Sequence, residues 1–354
     1  MWQGIRGHDE VVEQFRRALE RGRLASTFLF VGPAGVGKRL FALKLAQAML
    51  CERRREEQLD PCSQCPSCLQ VAAGSHPDID IASRPADKAY IPLELLIGDK
   101  EHRMRAGICY NVSLKPYSGR RKFAILDDAD YLNKEGANCL LKTLEEPPPR
   151  SVLILIGTSE QRQLPTIRSR CQIIRFKPLS DDDVVALLME QGHCENEEVA
   201  RRAAQLSGGS LERAVLWIDP QAAEFRAALL EQLSQREFDL LATAKQINQF
   251  YEDAGKDTAA KRNRMKDVIS IAERFYRELL RTIATGVGSD DTQSQYIART
   301  LRWWPGGDEA AAACIETCIE ALGQVEANVN LATLSEHWLD QLGTIARTGK
   351  PAVV

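Results

Sequence analysis

Long apolar runs are missing from this 354-residue sequence: no window approaches the roughly 18 uninterrupted apolar residues of a membrane span, so no membrane crossing is expected. The opening Met1-Trp2-Gln3-Gly4-Ile5-Arg6 lacks the apolar core of a signal peptide, and a cytoplasmic protein is expected. Neither sign of charge is in excess. With 46 Lys and Arg against 49 Asp and Glu, the formal net charge is −3. That balance argues against a chain that coats nucleic acid by itself, and leaves room for local basic faces or a basic partner. Internal repeats and low-complexity tracts are also absent. In a reducing compartment the ten cysteines are not expected to form a disulfide framework.

What is present is a soluble globular composition, 44% hydrophobic and 27% charged, in a chain long enough for two or three domains. An amphipathic helix is predicted over residues 8–21, with Val11, Val12, Phe15, Ala18 and Leu19 as its apolar positions. The run Thr27-Phe28-Leu29-Phe30-Val31 reads as a strand, and further strands are predicted at 79–81, 122–126, 152–156 and 173–176. Helical patterns lie between most of them. That alternation predicts an α/β domain with a parallel sheet covered on both faces and ligands at the carboxyl ends of its strands. The helix after Asn133 must end at Pro147-Pro148-Pro149. Beyond Phe176-Lys177-Pro178 strand signals cease. Ser180 with Asp183 starts a helix carrying Val184, Leu187 and Leu188, Ser207-Gly208-Gly209 interrupts, and from about Gln221 to Ala346 only helices are predicted, with joints at 286–288 and 303–307. Between residues 86 and 110 nothing is predicted beyond a helix leading to Ser113.

Four constellations carry chemistry. The first is the turn between the Thr27–Val31 strand and the helix that follows it: Gly32-Pro33-Ala34-Gly35-Val36-Gly37-Lys38-Arg39. Strand, Gly-x-x-x-x-Gly-Lys and helix form a phosphate-binding loop, in which backbone N–H groups, the helix N-terminus and the Lys38 ammonium face an anion. The eighth position, normally a Ser or Thr whose hydroxyl holds Mg²⁺, is Arg39, so nucleotide binding is favoured and catalysis is in doubt. The second is the acidic end of the Lys122–Leu126 strand. Asp127 is placed to hold the metal and Asp128 stands where a Glu would orient water, one methylene short, while Asp130 fits a helix cap.

Third, Cys51, Cys62, Cys65 and Cys68 offer four thiolates for tetrahedral Zn²⁺ in a short, core-poor insertion at 51–77. An iron–sulfur cluster is the rival, disfavoured because no further Cys follows at the ferredoxin spacing; His76 in place of Cys51 is a minor alternative. Fourth, Ser169-Arg170-Cys171 places Arg170 at a helix end, as a solvated cation or as a finger reaching phosphate across a subunit boundary. Lys261, Arg262, Arg264 and Lys266 read as a solvated helix face, and Trp303 and Trp304 as packing residues. Cys109, Cys139, Cys194, Cys314 and Cys318 read as small core residues.

Together with His76-Pro77-Asp78, Ser113-Leu114-Lys115-Pro116-Tyr117, Leu141-Lys142-Thr143-Leu144-Glu145-Glu146-Pro147-Pro148 and Ser169-Arg170-Cys171, these features resemble the AAA+ subunits of the bacterial DNA polymerase III clamp loader, in detail over roughly residues 1–215. The resemblance implies a RecA-like nucleotide-binding domain over 1–177, a helical lid over 178–217, a helical collar over 218–347 and a flexible tail over 348–354. Thr158 joins the loop residues and Asp127 as an implied nucleotide contact. Arg39, Asp128 and Glu212 (where motors place a sensor arginine) depart from the ATP-hydrolysing gamma/tau pattern while Arg170 is kept, and the chain stops where tau would continue. The implied role is therefore a delta-prime-like ring member: structural Zn²⁺, weak ATP and Mg²⁺ at most, Arg170 offered in trans, and gamma/tau, delta, the sliding clamp and primed DNA as partners. A true ATPase of gamma/tau type and a free-standing AAA+ DNA-processing ATPase are the alternatives.

Overall fold

The computed structural model describes residues 2–85, 88, 90–237, 239–288 and 293–350. The chain divides into two compact units, 1–218 and 219–354.

The first unit runs α1 (Asp9–Glu20), β1 (Thr27–Val31), α2 (Lys38–Leu50), α3 (Pro66–Ala72), β2 (Ile79–Ala82), α4 (Leu93–Ile97), α5 (Ile108–Ser113), β3 (Lys122–Leu126), α6 (Lys134–Glu145), β4 (Ser151–Gly157), α7 (Pro165–Arg168) and β5 (Gln172–Arg175), then α8 (Asp181–Glu190), α9 (Glu197–Ser207) and α10 (Leu211–Ile218). All five predicted strands form, in one parallel sheet ordered β2-β3-β4-β1-β5. Because successive strand side chains point to opposite faces, the apolar runs divide into two cores. Phe28, Phe30, Phe123, Ile125, Val152 and Ile154 meet α1 and α2 on one face, while Leu29, Val31, Leu126, Leu153 and Leu155 meet α4, α5 and α6 on the other. An aromatic cluster fastens the first face, with Phe15 5.0 Å from Phe28 and Phe176 5.1 Å and 5.2 Å from Phe30 and Phe41.

Boundaries follow local chemistry. Asn133 caps α6 by accepting from the Gly136 N–H, and the helix ends at Glu145, before the prolines. Ser180 caps α8 by accepting from the Asp183 N–H at 3.1 Å, and α9 stops at a left-handed Gly208. The single helix predicted before Ser113 is instead two short ones, α4 and α5, separated by turns; residues 86, 87 and 89 of that stretch lie outside the described residues.

The second unit is helical throughout its described residues: α11 (Pro220–Leu233), α12 (Leu240–Glu252), α13 (Thr258–Thr285), α14 (Ser294–Leu301), α15 (Gly307–Glu326) and α16 (Leu331–Thr348). The basic run on α13 is not the solvated face expected of it. Lys261 pairs with Glu252, Arg262 donates to the Val325 carbonyl at 2.9 Å, Arg264 donates to the Phe250 carbonyl at 2.9 Å and lies over its ring, and Lys266 pairs with Glu326. These cations clamp α13 to its neighbours. Trp303 and Trp304 pack within the unit, Trp303 donating to the Ser234 carbonyl. Cys314 and Cys318 are buried there, whereas Cys194 of the first unit is only half-buried. Of the expected tail at 348–354, residues 351–354 lie outside the described residues.

One buried carboxylate ties the sheet edge together. Asp78, fully buried just before β2, accepts from the N–H groups of Tyr117 at 2.6 Å and Ser118 at 2.8 Å, with Lys122 Nζ 3.9 Å away. Burial pushes this carboxyl up, but the hydrogen bonds from Ser118 and Tyr117 and the nearby Lys122 outweigh it, and the net displacement is below the ordinary aspartate value. A depressed folded value means the contribution is present above the unfolded value near 3.8 and is lost as pH falls through the folded one. Asp78→Asn is accordingly expected to lower stability at pH 7 by about 2–3 kcal/mol. The deficit relative to wild type should shrink in denaturant titrations only below pH ~4, and a pH-independent deficit would show that the charge is not responsible.

Candidate nucleotide cradle, cysteine cluster and edge arginine

The cradle is built where β1 ends and α2 begins. Gly35 (φ 73) and Gly37 (φ 94) turn the chain through left-handed conformations that a side chain would strain. Behind the loop, His8 shares a hydrogen bond with the Val36 carbonyl at 2.8 Å, and a Cβ at Gly32 would sit 2.3 Å from the Phe176 carbonyl oxygen. The first residues of α10 lie on the loop's other side. The Leu211 N–H donates to the Gly35 carbonyl at 3.0 Å, and a Cβ at Gly35 would meet Ser210 Oγ at 2.2 Å and Glu212 Cβ at 3.0 Å. Pro33 is exposed at the loop's crest.

Lys38 is buried, its Nζ donating to the Gly32 and Pro33 carbonyls at 2.6 Å each. Burial pulls this ammonium below its ordinary value, opposed by Asp130 and Asp127 nearby. Arg39, half-exposed, brings Nη1 to 3.5 Å from Asp127 Oδ2 across the gap between α2 and the end of β3. The fold thus brings together the glycine loop, Lys38, Arg39 and Asp127 as the spacing requires. Asp128 adopts a left-handed backbone (φ 58). Burial, then Asp127, push its carboxyl up, while Arg84 pulls it down.

Two positions have partners that sequence reasoning did not anticipate. Asp130 lies in the 3-10 turn Ala129–Tyr131 and does not cap α6; it accepts from the Thr158 N–H at 2.8 Å, the Thr158 hydroxyl at 2.6 Å and the Gln163 amide. The Thr158 hydroxyl is therefore committed to Asp130, and together they fasten the end of β4 to the end of β3. Only the three-residue spacing from Asp127 hinted at Asp130; Gln163 carried no signal. The other is His76. Its Nδ1 accepts from the Asp78 N–H at 3.0 Å, so its Nε2 carries the proton donated to Ser67 Oγ, 2.9 Å away. With both ring nitrogens engaged, His76 is not a metal ligand, which removes it as an alternative to Cys51.

The four cysteine sulfurs lie within 4.8 Å of one another, with Cys51, Cys65 and Cys68 buried and Cys62 half-buried. A tetrahedron with metal–sulfur bonds of about 2.3 Å has edges of roughly 3.8 Å, and Cys62 Sγ lies 4.0 Å from Cys68 Sγ, so the set fits a single ion. A multi-iron cluster would hold its sulfurs farther apart. Backbone N–H groups point at three sulfurs: Cys62 to Cys51 at 3.4 Å, Cys65 to Cys62 at 3.3 Å and Cys68 to Cys65 at 3.4 Å. The N–H groups of Gln64 and, more weakly, Cys65 bring the Cys62 thiol down to about 6 against burial, suiting it to a thiolate role.

Arg170 lies elsewhere. Its carbonyl accepts from Thr27 Oγ1 at 2.7 Å at the start of β1, whereas the cradle begins at the other end of that strand, roughly 15 Å away at ~3.3 Å per residue. Its side chain, about a third exposed, pairs with Glu145 in the last turn of α6 (Nε to Oε1, 2.8 Å) and donates to the Thr166 carbonyl at 3.0 Å. Arg170 is at the surface, on the sheet edge opposite its own phosphate loop.

Parallel sheet, glycine loop and the helix that follows it together define an α/β fold of the P-loop type. The family described as "DNA polymerase III, delta subunit" matches residues 7–180. DNA polymerase III subunit delta' of Bacillus subtilis (strain 168) is 26% identical over 92% of this chain and 93% of that protein. Subunit delta' of Pseudomonas aeruginosa is 36% identical over 43% of each. Subunit tau of Escherichia coli (strain K12) is 34% identical over 61% of this chain and 32% of that one. Over these stretches the chain is similar to the delta' subunits of DNA polymerase III and to their gamma/tau relatives. No helix among the described residues is long and apolar enough to cross a membrane.

The cysteine geometry yields a direct test. Elemental analysis of purified chain should find one metal ion per molecule, and Cys65→Ser should lose it with a fall in the thermal midpoint, because the 51–77 insertion has little core of its own. A metal-free wild-type chain with the same midpoint as the variant would contradict this.

Proposed function

We propose that this chain is the delta-prime-type member of a clamp-loader ring, offering Arg170 to nucleotide held by an adjacent gamma/tau-type subunit and hydrolysing little or none itself. The single observation that carries the reading is the position of Arg170: partly exposed, and at the sheet edge away from its own cradle, which favours service to a phosphate brought by another molecule. Arg39 in place of a hydroxyl and Asp128 in place of Glu support the lack of turnover. In this proposal residues 178–217 act as a lid over the cradle, and residues 218–347 join the collar that assembles with gamma/tau and delta. Through that assembly the chain takes part in opening and closing the sliding clamp on primer–template DNA. The metal of Cys51, Cys62, Cys65 and Cys68 is Zn²⁺, structural rather than catalytic.

The rival with an observation in its favour is a gamma/tau-type ATPase, since the glycine loop and Lys38 are intact. Arg170→Ala separates the two. The variant should fold and assemble normally, while the neighbouring site it serves loses on the order of 10³-fold in turnover, lowering the DNA-stimulated ATPase of the complex. An unchanged rate in the complex, or turnover by the isolated wild-type chain, would contradict the proposal.

A further inference from the structure

The acidic end of β3 should hold Mg²⁺ if this cradle worked as in a motor, and its residues do not fit that ion. Mg²⁺ requires oxygen ligands close to octahedral at about 2.0–2.1 Å. The hydroxyl that would supply one is replaced by Arg39. Two of the three carboxylates nearby are engaged: Asp127 faces the Arg39 guanidinium at 3.5 Å and accepts from the Asp128 N–H at 3.0 Å, and Asp130 holds Thr158 and Gln163. A dication entering beside Asp127 would meet a fixed positive charge within a few ångströms, where repulsion is strong in a partly desolvated cleft.

The same contacts say what replaces the ion. Arg39 is the second residue of α2, directly behind the glycine turn, its charge permanent and its guanidinium half-exposed. A guanidinium has five N–H donors in a planar fork, and Asp127 engages only one edge, leaving others for the paired oxygens of a phosphate. Lys38, now resting on the Gly32 and Pro33 carbonyls, provides the second cation once an anion displaces it.

We infer that the Arg39–Asp127 pair takes the place of the divalent cation, so that this cradle binds a nucleoside polyphosphate free of metal. The inference rests on the nucleotide-binding reading of the glycine loop and adds metal independence to it. A metal-free site also explains how such a chain could keep nucleotide bound without activating it for hydrolysis, since no ion bridges and polarises the β- and γ-phosphates.

Isothermal calorimetry on the full chain with ADP as the probe tests this, in Mg²⁺ buffer and in EDTA buffer, comparing wild type with Arg39→Ser and with Arg39→Ala. Wild-type dissociation constants in the two buffers should agree within about twofold. Arg39→Ser should bind at least tenfold more weakly in EDTA and regain affinity with Mg²⁺, while Arg39→Ala should be weak in both. The Cys51–Cys68 metal must be retained throughout, which elemental analysis after the EDTA titration verifies. Wild-type binding tightened tenfold or more by Mg²⁺ would overturn the inference while leaving the nucleotide site standing. Absence of binding in both buffers would overturn the nucleotide site itself, and the inference with it.

Discussion

A guanidinium 3.5 Å from an aspartate, at the mouth of a glycine-rich loop, is the contact on which the proposed function of this protein rests. In a hydrolysing P-loop protein the corresponding space holds a divalent cation, which neutralises phosphate charge and polarises the bond to be broken. In the proposed reading Arg39 would supply only the neutralising half of that work: a permanent guanidinium charge suits an anion but cannot coordinate as a metal does, so binding would be separated from chemistry. Glu212, whose Cβ lies close over Gly35, would add to that separation in the proposed reading as an acid at the position the resemblance gives to a motor's sensor arginine.

Parallel strands give the sheet two chemically different edges. The carboxyl ends of β1, β3 and β4 carry the cradle, Asp127 and the Asp130–Thr158 tie, while the amino ends of β1 and β5 carry Arg170. The length of a strand keeps the two cations from ever sharing one ligand. Arg170 is held by Thr27, Thr166 and Glu145, none of them in the cradle, so the proposed loss of metal at the first edge is compatible with the proposed finger at the second. The Glu145 pair, exposed and so contributing little to stability, holds the guanidinium in one orientation at the surface. The cysteine cluster is likewise independent. It lies in an insertion that packs through His76 and Ser67 against the end of α2, where Ser67 donates to the Leu50 carbonyl.

Local features were legible in the sequence, and features made by distant partners were not. Apolar runs announced β1, β3 and β4, because burial on both faces demands such residues whatever the topology, and short β-branched stretches announced the two edge strands β2 and β5. The glycine loop and the cysteines were equally plain, since each carries its geometry in its spacing. Asp130 was invisible as a tie because its partners, Thr158 and Gln163, lie on other elements. Likewise nothing in His76-Pro77-Asp78 revealed that the histidine would hold Ser67 and the aspartate would gather the backbone of Tyr117 and Ser118. The basic run on α13 misled for the same reason. A run of charges suggests a wet face, yet the carbonyls and acids of neighbouring helices had claimed each one.

The most direct test is a crystal structure of the chain grown with ADP and MnCl₂, with data collected to show the anomalous signal of manganese. The expected result is the Arg39 guanidinium on a phosphate oxygen and beside Asp127, with no anomalous peak in the cradle. A manganese ion bound to Asp127, with Arg39 swung out to solvent, would contradict the substitution of arginine for metal.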